Sequence, residues 1–149
     1  MLESKLEELI KKLNGEIINV GKNVKTVEQA VNATGLTPKQ IIKSLLYISE
    51  KEPLLVIVDG ESKVDLNKLT NLVGLVRLAK PREVKEIIGY DVGGVPPVGI
   101  KVRTIVDSKV LENDFIVGGG GSANKLLKID PKKVIEYQKA EVTNISVPK

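Results

Sequence analysis

Leu45-Leu46-Tyr47-Ile48-Ser49-Glu50-Lys51-Glu52-Pro53-Leu54-Leu55-Val56-Ile57-Val58-Asp59 decides the fold class. Two aliphatic and β-branched runs flank a charged tetrapeptide that ends in proline, which is the composition of a β-hairpin. Residues 54–58 are apolar without interruption, so this strand is expected to be buried on both faces of its sheet. Immediately upstream, Thr37, Pro38 and Gln40 form a capping box with proline at the first helical position. A helix is expected there, running through Ile41 and Ile42, so that Lys43 falls where the helical pattern gives way to the strand.

Downstream of the hairpin, Asp65 caps a helix carrying Leu66, Leu69 and Val73 and closed by Gly74. Residues 76–79 read as a short strand, and Pro81 opens a helix with Val84, Ile87 and Ile88 that stops at Gly89. Toward the N-terminus, Leu2, Leu6, Leu9, Ile10 and Leu13 recur at helical spacing, with Gly15 expected as the C-cap. Residues 16–20 are strand-like and residues 21–23 turn the chain. Thr26 and Gln29 then cap a helix that ends at Gly35.

In the last third, strands are expected at residues 100–107 and 115–117 with a turn around residues 112–114. Residues 125–129 form a return strand, a helix starts at Asp130-Pro131, and residues 141–147 are a terminal strand or a loose tail. Helices and strands interleave without a regular βαβ rhythm. No linker, repeat or low-complexity block interrupts them, so residues 1–149 are expected to form one α+β domain with a mixed, curved sheet surrounded by helices.

Composition excludes whole classes of chemistry. The chain has 149 residues, no cysteine and no histidine. A chain of this size buries roughly 68–70% of its unfolded surface and needs no disulfide staple. Ser-His-Asp and Cys-His catalysis are ruled out, as are nearly all zinc sites, and neither a metal nor a cofactor is expected. Catalysis would have to use backbone groups, Lys, Ser/Thr, Asp/Glu, water or the substrate itself. The N-terminal residues Met1-Leu2-Glu3-Ser4-Lys5-Leu6 show no signal core, and no apolar run is long enough to span a membrane, so a cytoplasmic protein is expected. The net charge of +4 points toward polyanions, while one Phe, three Tyr and no Trp leave little material for a long base-stacking groove. The lysine-rich balance leans toward a thermophile.

Gly89-Tyr90-Asp91-Val92-Gly93-Gly94-Val95-Pro96-Pro97-Val98-Gly99 cannot be a regular helix or an inner strand. It is either a tight connection or a shaped loop whose backbone N–H groups approach a ligand. The glycine run 118–121 is likewise either a flexible hairpin turn or a second backbone wall. Gly118, Gly120 and Ala123 satisfy G-x-G-x-x-A, but no helix of a βαβ unit follows, so a dinucleotide site is not expected. Lys43, among apolar neighbours, either snorkels to the surface, the usual outcome, or points into an anion-binding pocket. Ser44 beside it suggests a Ser-Lys dyad, which the opposed facing of adjacent residues disfavours.

Ile42-Lys43-Ser44-Leu45-Leu46, Val64-Asp65-Leu66-Asn67-Lys68-Leu69, the loop at residues 89–99, Ile105-Val106-Asp107 and Val117-Gly118-Gly119-Gly120 together resemble, in order and spacing, the motifs of the YbaK family. Prolyl-tRNA synthetase-associated editing domains belong to that family. The resemblance implies an aminoacyl-tRNA deacylase acting in trans, typically on a proline tRNA mischarged with Cys or Ala. Its partners would be the aminoacyl-tRNA 3′ end and a synthetase.

The family's G-x-x-x-P loop falls on Gly93, Gly94, Val95, Pro96 and Pro97, and its characteristic lysine on Lys43. That lysine would hold the terminal phosphate or the carbonyl end of the acceptor. The substrate wall falls on Gly118, Gly119 and Gly120, with Tyr90 and Ser122 beside it. In the family picture the ribose hydroxyl of the substrate helps to activate water, in keeping with a chain that has no histidine base. Some members carry Ser at Gly118 and charged or polar residues where this chain has Ser122, Ala123 and Asn124, which leaves the amino-acid specificity open. The alternatives to a deacylase are a catalytically inactive tRNA- or synthetase-binding module of the same fold and a small nucleotide-binding enzyme.

Overall fold

The computed structural model describes residues 2–149; Met1 of the N-terminal reading lies outside them. In chain order the elements are α1 (Leu2–Lys12), β1 (Glu16–Asn19), α2 (Val27–Thr34), a single 3-10 turn (Pro38–Gln40), β2 (Ile42–Ser49), β3 (Pro53–Asp59) and β4 (Ser62–Val64). Then follow α3 (Leu66–Val73), β5 (Val76–Leu78), α4 (Pro81–Ile88), β6 (Arg103–Asp107) and a second 3-10 segment (Ser108–Glu112). The chain finishes with β7 (Ile116–Gly119), β8 (Lys125–Ile129), α5 (Pro131–Gln138), β9 (Glu141–Thr143) and β10 (Ser146–Pro148).

The expected hairpin is the centre of the molecule. β2 and β3 pair antiparallel from Ile42 opposite Asp59 to Ile48 opposite Pro53. β6 and β9 extend this sheet in parallel register, and β5 adds to its other edge, giving a mixed sheet in the order β5-β2-β3-β6-β9. Leu54, Leu55, Val56, Ile57 and Val58 have no exposed surface, as the uninterrupted apolar run requires.

One face of this sheet, with Leu46, Leu55, Ile57 and Val106, packs against Leu6 and Ile10 of α1 and against Val95 and Val98 of the glycine-proline loop. The other, with Tyr47, Leu54, Val56, Val58 and Ile105, packs against Leu69 of α3 and Ile145. A second, antiparallel sheet has the order β1-β8-β7. Its Val117 and Leu126 meet Val24, Ala30 and Ile41 in a third apolar cluster beneath α2.

Several caps form as the sequence dictates. Thr26 accepts from the Gln29 N–H while the Gln29 side chain accepts from the Thr26 N–H, and Gly35 ends α2 at φ 74. Asp65 accepts from the N–H groups of Asn67 and Lys68. Four expectations need correction. The capping box at Thr37 opens only the one 3-10 turn, because Ile41 is already extended, its φ of −89 and ψ of 127 committing it to the strand. At the end of α1 the left-handed residue is Asn14, at φ 60, not Gly15. Gly15 is needed for close approach instead, since a Cβ there would lie 2.7 Å from the Lys128 carbonyl oxygen. β6 begins at Arg103 rather than at residue 100, and the expected turn at residues 112–114 is preceded by the 3-10 segment. The tail is ordered as two short strands, β9 on the main sheet and β10 on β4. Among the described residues no helix is long and apolar enough to cross a membrane.

Candidate active site

Ile41, just before β2, meets Val117 of β7 in an isolated parallel bridge. A cavity of about 330 Å³ opens between residues 42–45 of one strand and Gly118-Gly119 of the other. Its floor is apolar, formed by Val24, Ala30, Ile41 and Leu126. Val92, Gly93 and Val95 close one side, and Lys25, Lys43 and Lys149 are among the lining residues, whereas no Asp or Glu is among the described ones.

The glycine-proline loop is built on a tight turn. The Gly94 N–H donates to the Asp91 carbonyl at 3.0 Å, and Gly93 takes φ 94 at the third position, as a type II turn requires. A methyl group at Gly93 would stand 3.0 Å from Lys25 Cγ, so the turn lies flat on that lysine. The loop is tied to the glycine run by the Gly121 N–H, which donates to the Gly94 carbonyl at 2.9 Å. Pro96, Pro97 and Val98 are buried behind it. No acceptor within the described chain engages the N–H of Gly93 or Val95.

The glycine run is only partly a turn, for Gly118 and Gly119 are strand residues opposite Leu127 and Leu126. Two of its glycines, and one in the facing loop, make room for the protein's own backbone. A Cβ on Gly119 would collide with the Val95 carbonyl oxygen, and one on Gly120 would stand 2.7 Å from the Lys125 carbonyl carbon. The one on Gly94, in the facing loop, would stand 3.2 Å from Ser122 Cα. Gly118 differs, because its neighbours would be the Ile42 side chain at 2.9 Å and Pro97 Cδ at 3.8 Å. The Gly120 N–H donates to the Lys125 carbonyl. By strand alternation the backbone groups of Gly119 therefore point away from β8.

Lys43 does not snorkel freely. It is half-buried in the cavity wall, and its Nζ donates to the Ser62 carbonyl at 2.7 Å. Burial first, and then the Lys149 ammonium, hold its pKa below the usual lysine value, against the opposing pull of Asp59. Asp59 is 1% exposed and is engaged elsewhere, by Lys39 at 3.6 Å and by the Glu61 N–H at Oδ1. Ser44 also lines the cavity, and its buried Oγ has no hydrogen-bond partner. The Ala79 N–H donates to the Leu46 carbonyl on the β5 side of β2, and β5 covers only Tyr47, Ile48 and Ser49. Alternation then leaves the Ser44 N–H and C=O on the uncovered edge of the sheet.

The cavity thus brings together Lys43, Gly93, Val95, Gly118 and Gly119 of the expected site. Gly94, Pro96, Pro97 and Gly120 sit behind it as packing. Tyr90 is 4% exposed in the main core and lines a separate cavity with Leu6, Leu9 and Ile100. Ser122 turns its Oγ to Asn124 Oδ1 at 2.9 Å. Sequence reasoning missed Lys25 and Lys149 and set Ser44 aside. For Lys149 no local signal exists, because only long-range pairing brings it here.

Residues 21–137 match the model of the aminoacyl-tRNA editing domain. The proline–tRNA ligase of Thermodesulfovibrio yellowstonii is 31% identical over 81% of this chain and 22% of its own length. The uncharacterized protein YwhH of Bacillus subtilis is 31% identical over 78% of this chain and 77% of its own. A crystal structure described as that of "a putative trans-editing enzyme for prolyl tRNA synthetase" superposes with a TM-score of 0.89 at 29% identity, covering 97% of this chain and 96% of that one. The chain spans about a fifth of the length of the ligase it matches.

Proposed function

The chain belongs to the aminoacyl-tRNA editing domain family, and on that premise we propose that it is a deacylase that hydrolyses the ester of mischarged tRNA in trans, with Ala or Cys on proline tRNA as the substrate. One observation carries the reading. Half-buried Lys43 and the Gly93–Val95 loop, with two backbone N–H groups that have no acceptor among the described residues, line the same apolar-floored cavity.

The aminoacyl ester is already activated, so orientation and charge stabilisation suffice. Water attacks the carbonyl carbon, and the negative charge that forms on the carbonyl oxygen meets the Gly93 and Val95 N–H groups. Lys43 stands at the carbonyl end, held in place by the Ser62 carbonyl. The acyl carbon–oxygen bond then breaks, the ribose oxygen takes the proton that water gives up, and the free amino acid leaves. With no histidine or cysteine in the chain, the neighbouring ribose hydroxyl serves to orient and activate the water. The apolar floor admits a small side chain, and its shape provides the refusal of larger ones. A pocket distinguishes one methylene by only about 1–3 kcal/mol, so selectivity has to rest on exclusion.

A panel of proline tRNAs charged with Ala, Cys, Ser or Pro, incubated with the purified protein, tests this. Accelerated release of Ala or Cys with retention of Pro is expected. Salt-sensitive tRNA binding without ester loss from any member would replace the deacylase with a binding module.

A further inference from the structure

β9 and β10 lie beyond residues 21–137, the part of the chain that matches the editing-domain model. Yet β10 reaches the candidate active site, and several bonds place it there. It pairs antiparallel with β4, Ser146 opposite Val64 and Pro148 opposite Ser62, and the Lys149 N–H continues the ladder to the Glu61 carbonyl at 3.0 Å. Ile145, 1% exposed, anchors its start. The Ile145 N–H donates to buried Asp107 Oδ1 at 2.9 Å and its carbonyl accepts from the Asp65 N–H at 2.9 Å. Lys68 Nζ donates to the Ser146 carbonyl at 2.8 Å.

β4 therefore does two things at once. Through the Ser62 carbonyl it holds the Lys43 ammonium, and through its ladder it sets Lys149 one residue past the partner of Ser62. Both lysines line the same cavity with Lys25, and no Asp or Glu does. The nearby carboxylate, Asp59, is already engaged by Lys39 and the Glu61 N–H. Among the described residues Lys149 Nζ is held only by the Gly60 carbonyl at 3.4 Å, a long bond that leaves donors free. Two ammonium groups repel each other, and a segment that fixes both lysines on one cavity, with no Asp or Glu side chain among the described lining residues, prepares a place for an anion.

We propose that Lys149 forms an anion subsite of this cavity and holds the phosphodiester on the 5′ side of the terminal nucleotide of the tRNA acceptor end. The proposal deepens the deacylase reading and rests on it for the identity of the RNA. It also divides the labour between the two lysines. Lys43, buried and bonded to Ser62, serves the carbonyl end, and the more exposed Lys149 serves the phosphate as a point charge.

The test uses uncharged acceptor-stem RNA, which carries no ester, so its outcome is independent of whether the protein hydrolyses anything. Binding is followed by fluorescence anisotropy over a range of KCl concentrations. Lys149→Ala is expected to weaken binding roughly 3- to 10-fold and to lower the slope of log K against log salt by about 0.7, the value for one phosphate contact on a single strand. Lys149→Arg should retain both. Lys51→Ala, in the distant hairpin turn, should match the wild type.

Replacing the terminal phosphodiester by an uncharged methylphosphonate should weaken the wild-type protein to the level of Lys149→Ala and leave Lys149→Ala itself unchanged. Losses that multiply when the two changes are combined, or a Lys149→Ala variant with wild-type affinity and salt slope, would overturn the proposal. A Lys149-dependent phosphate contact in a protein that deacylates no mischarged tRNA would leave the subsite standing and remove the reading it rests on.

Discussion

Gly119 and Val95 meet without space for a side chain between them: a Cβ on Gly119 would collide with the Val95 carbonyl oxygen. This contact locks the Gly93–Pro97 loop against β7, and the cavity wall is made of both. Gly119→Ala must push the loop away. A destabilisation of about 1–3 kcal/mol is expected from the overpacking, which thermal unfolding would show as a lowered Tm, together with loss of deacylation.

Gly118→Ala is expected to be milder, since the added methyl would meet Ile42 Cγ1 at 2.9 Å and Cδ1 at 3.0 Å rather than backbone. Ile42 has side-chain torsions to use, and Ile42→Val in the same chain, which removes the Cδ1 contact at 3.0 Å, should recover part of the Tm. A Gly118→Ala variant as unstable as Gly119→Ala would show that the two glycines serve the same purpose.

Thr26→Ala removes the hydroxyl that accepts from the Gln29 N–H at 3.1 Å. The lost cap is expected to cost about 1 kcal/mol. Because Thr26, Val27 and Ala30 line the cavity, the Michaelis constant for aminoacyl-tRNA should rise with it. Steady-state kinetics and a melt on the same preparation separate the two effects.

The depressed Lys43 pKa sets the sign of the pH dependence. The ammonium is the acting form, so, after subtraction of spontaneous ester hydrolysis, the rate should fall on the alkaline side at a pH below the 10.5 of an ordinary lysine. Lys149→Ala removes one of the two depressing causes and should move that limb to higher pH. The same shift has a consequence for stability. A group whose folded pKa lies below its unfolded one opposes folding while charged, and stability rises as pH climbs from the folded toward the unfolded value. Lys43→Met should therefore not lower the Tm at neutral pH, as measured by calorimetry.

Much of the fold was readable from local chemistry. The apolar run at residues 54–58, the capping boxes and the left-handed Gly35 and Gly89 act through neighbours in sequence, and each formed where expected. The capping box at Thr37 stopped after one turn because β2 begins at Ile42, and the long hairpin with β3 outweighs a weak helical preference. β4 and β10 were not legible, as three-residue strands exist only through their partner.

The site divides in the same way. The glycines and Lys43 stand out by composition, whereas Lys149 enters only through the β10 ladder. The glycine run reads from sequence as either a hairpin turn or a wall against a ligand. Gly119 and Gly120 make room for the Val95 carbonyl and the Lys125-Leu126 backbone rather than for a ligand.

On the proposed reading, the Lys43 ammonium acts in the hydrolysis of a mischarged aminoacyl ester. Single-turnover deacylation of Ala- or Cys-charged proline tRNA by Lys43→Ala, with circular dichroism confirming the fold, tests it most directly. A rate lower by about 10²–10³ is expected, the usual effect of removing one charge-stabilising donor. A Lys43→Ala protein that releases the amino acid at the wild-type rate would contradict it.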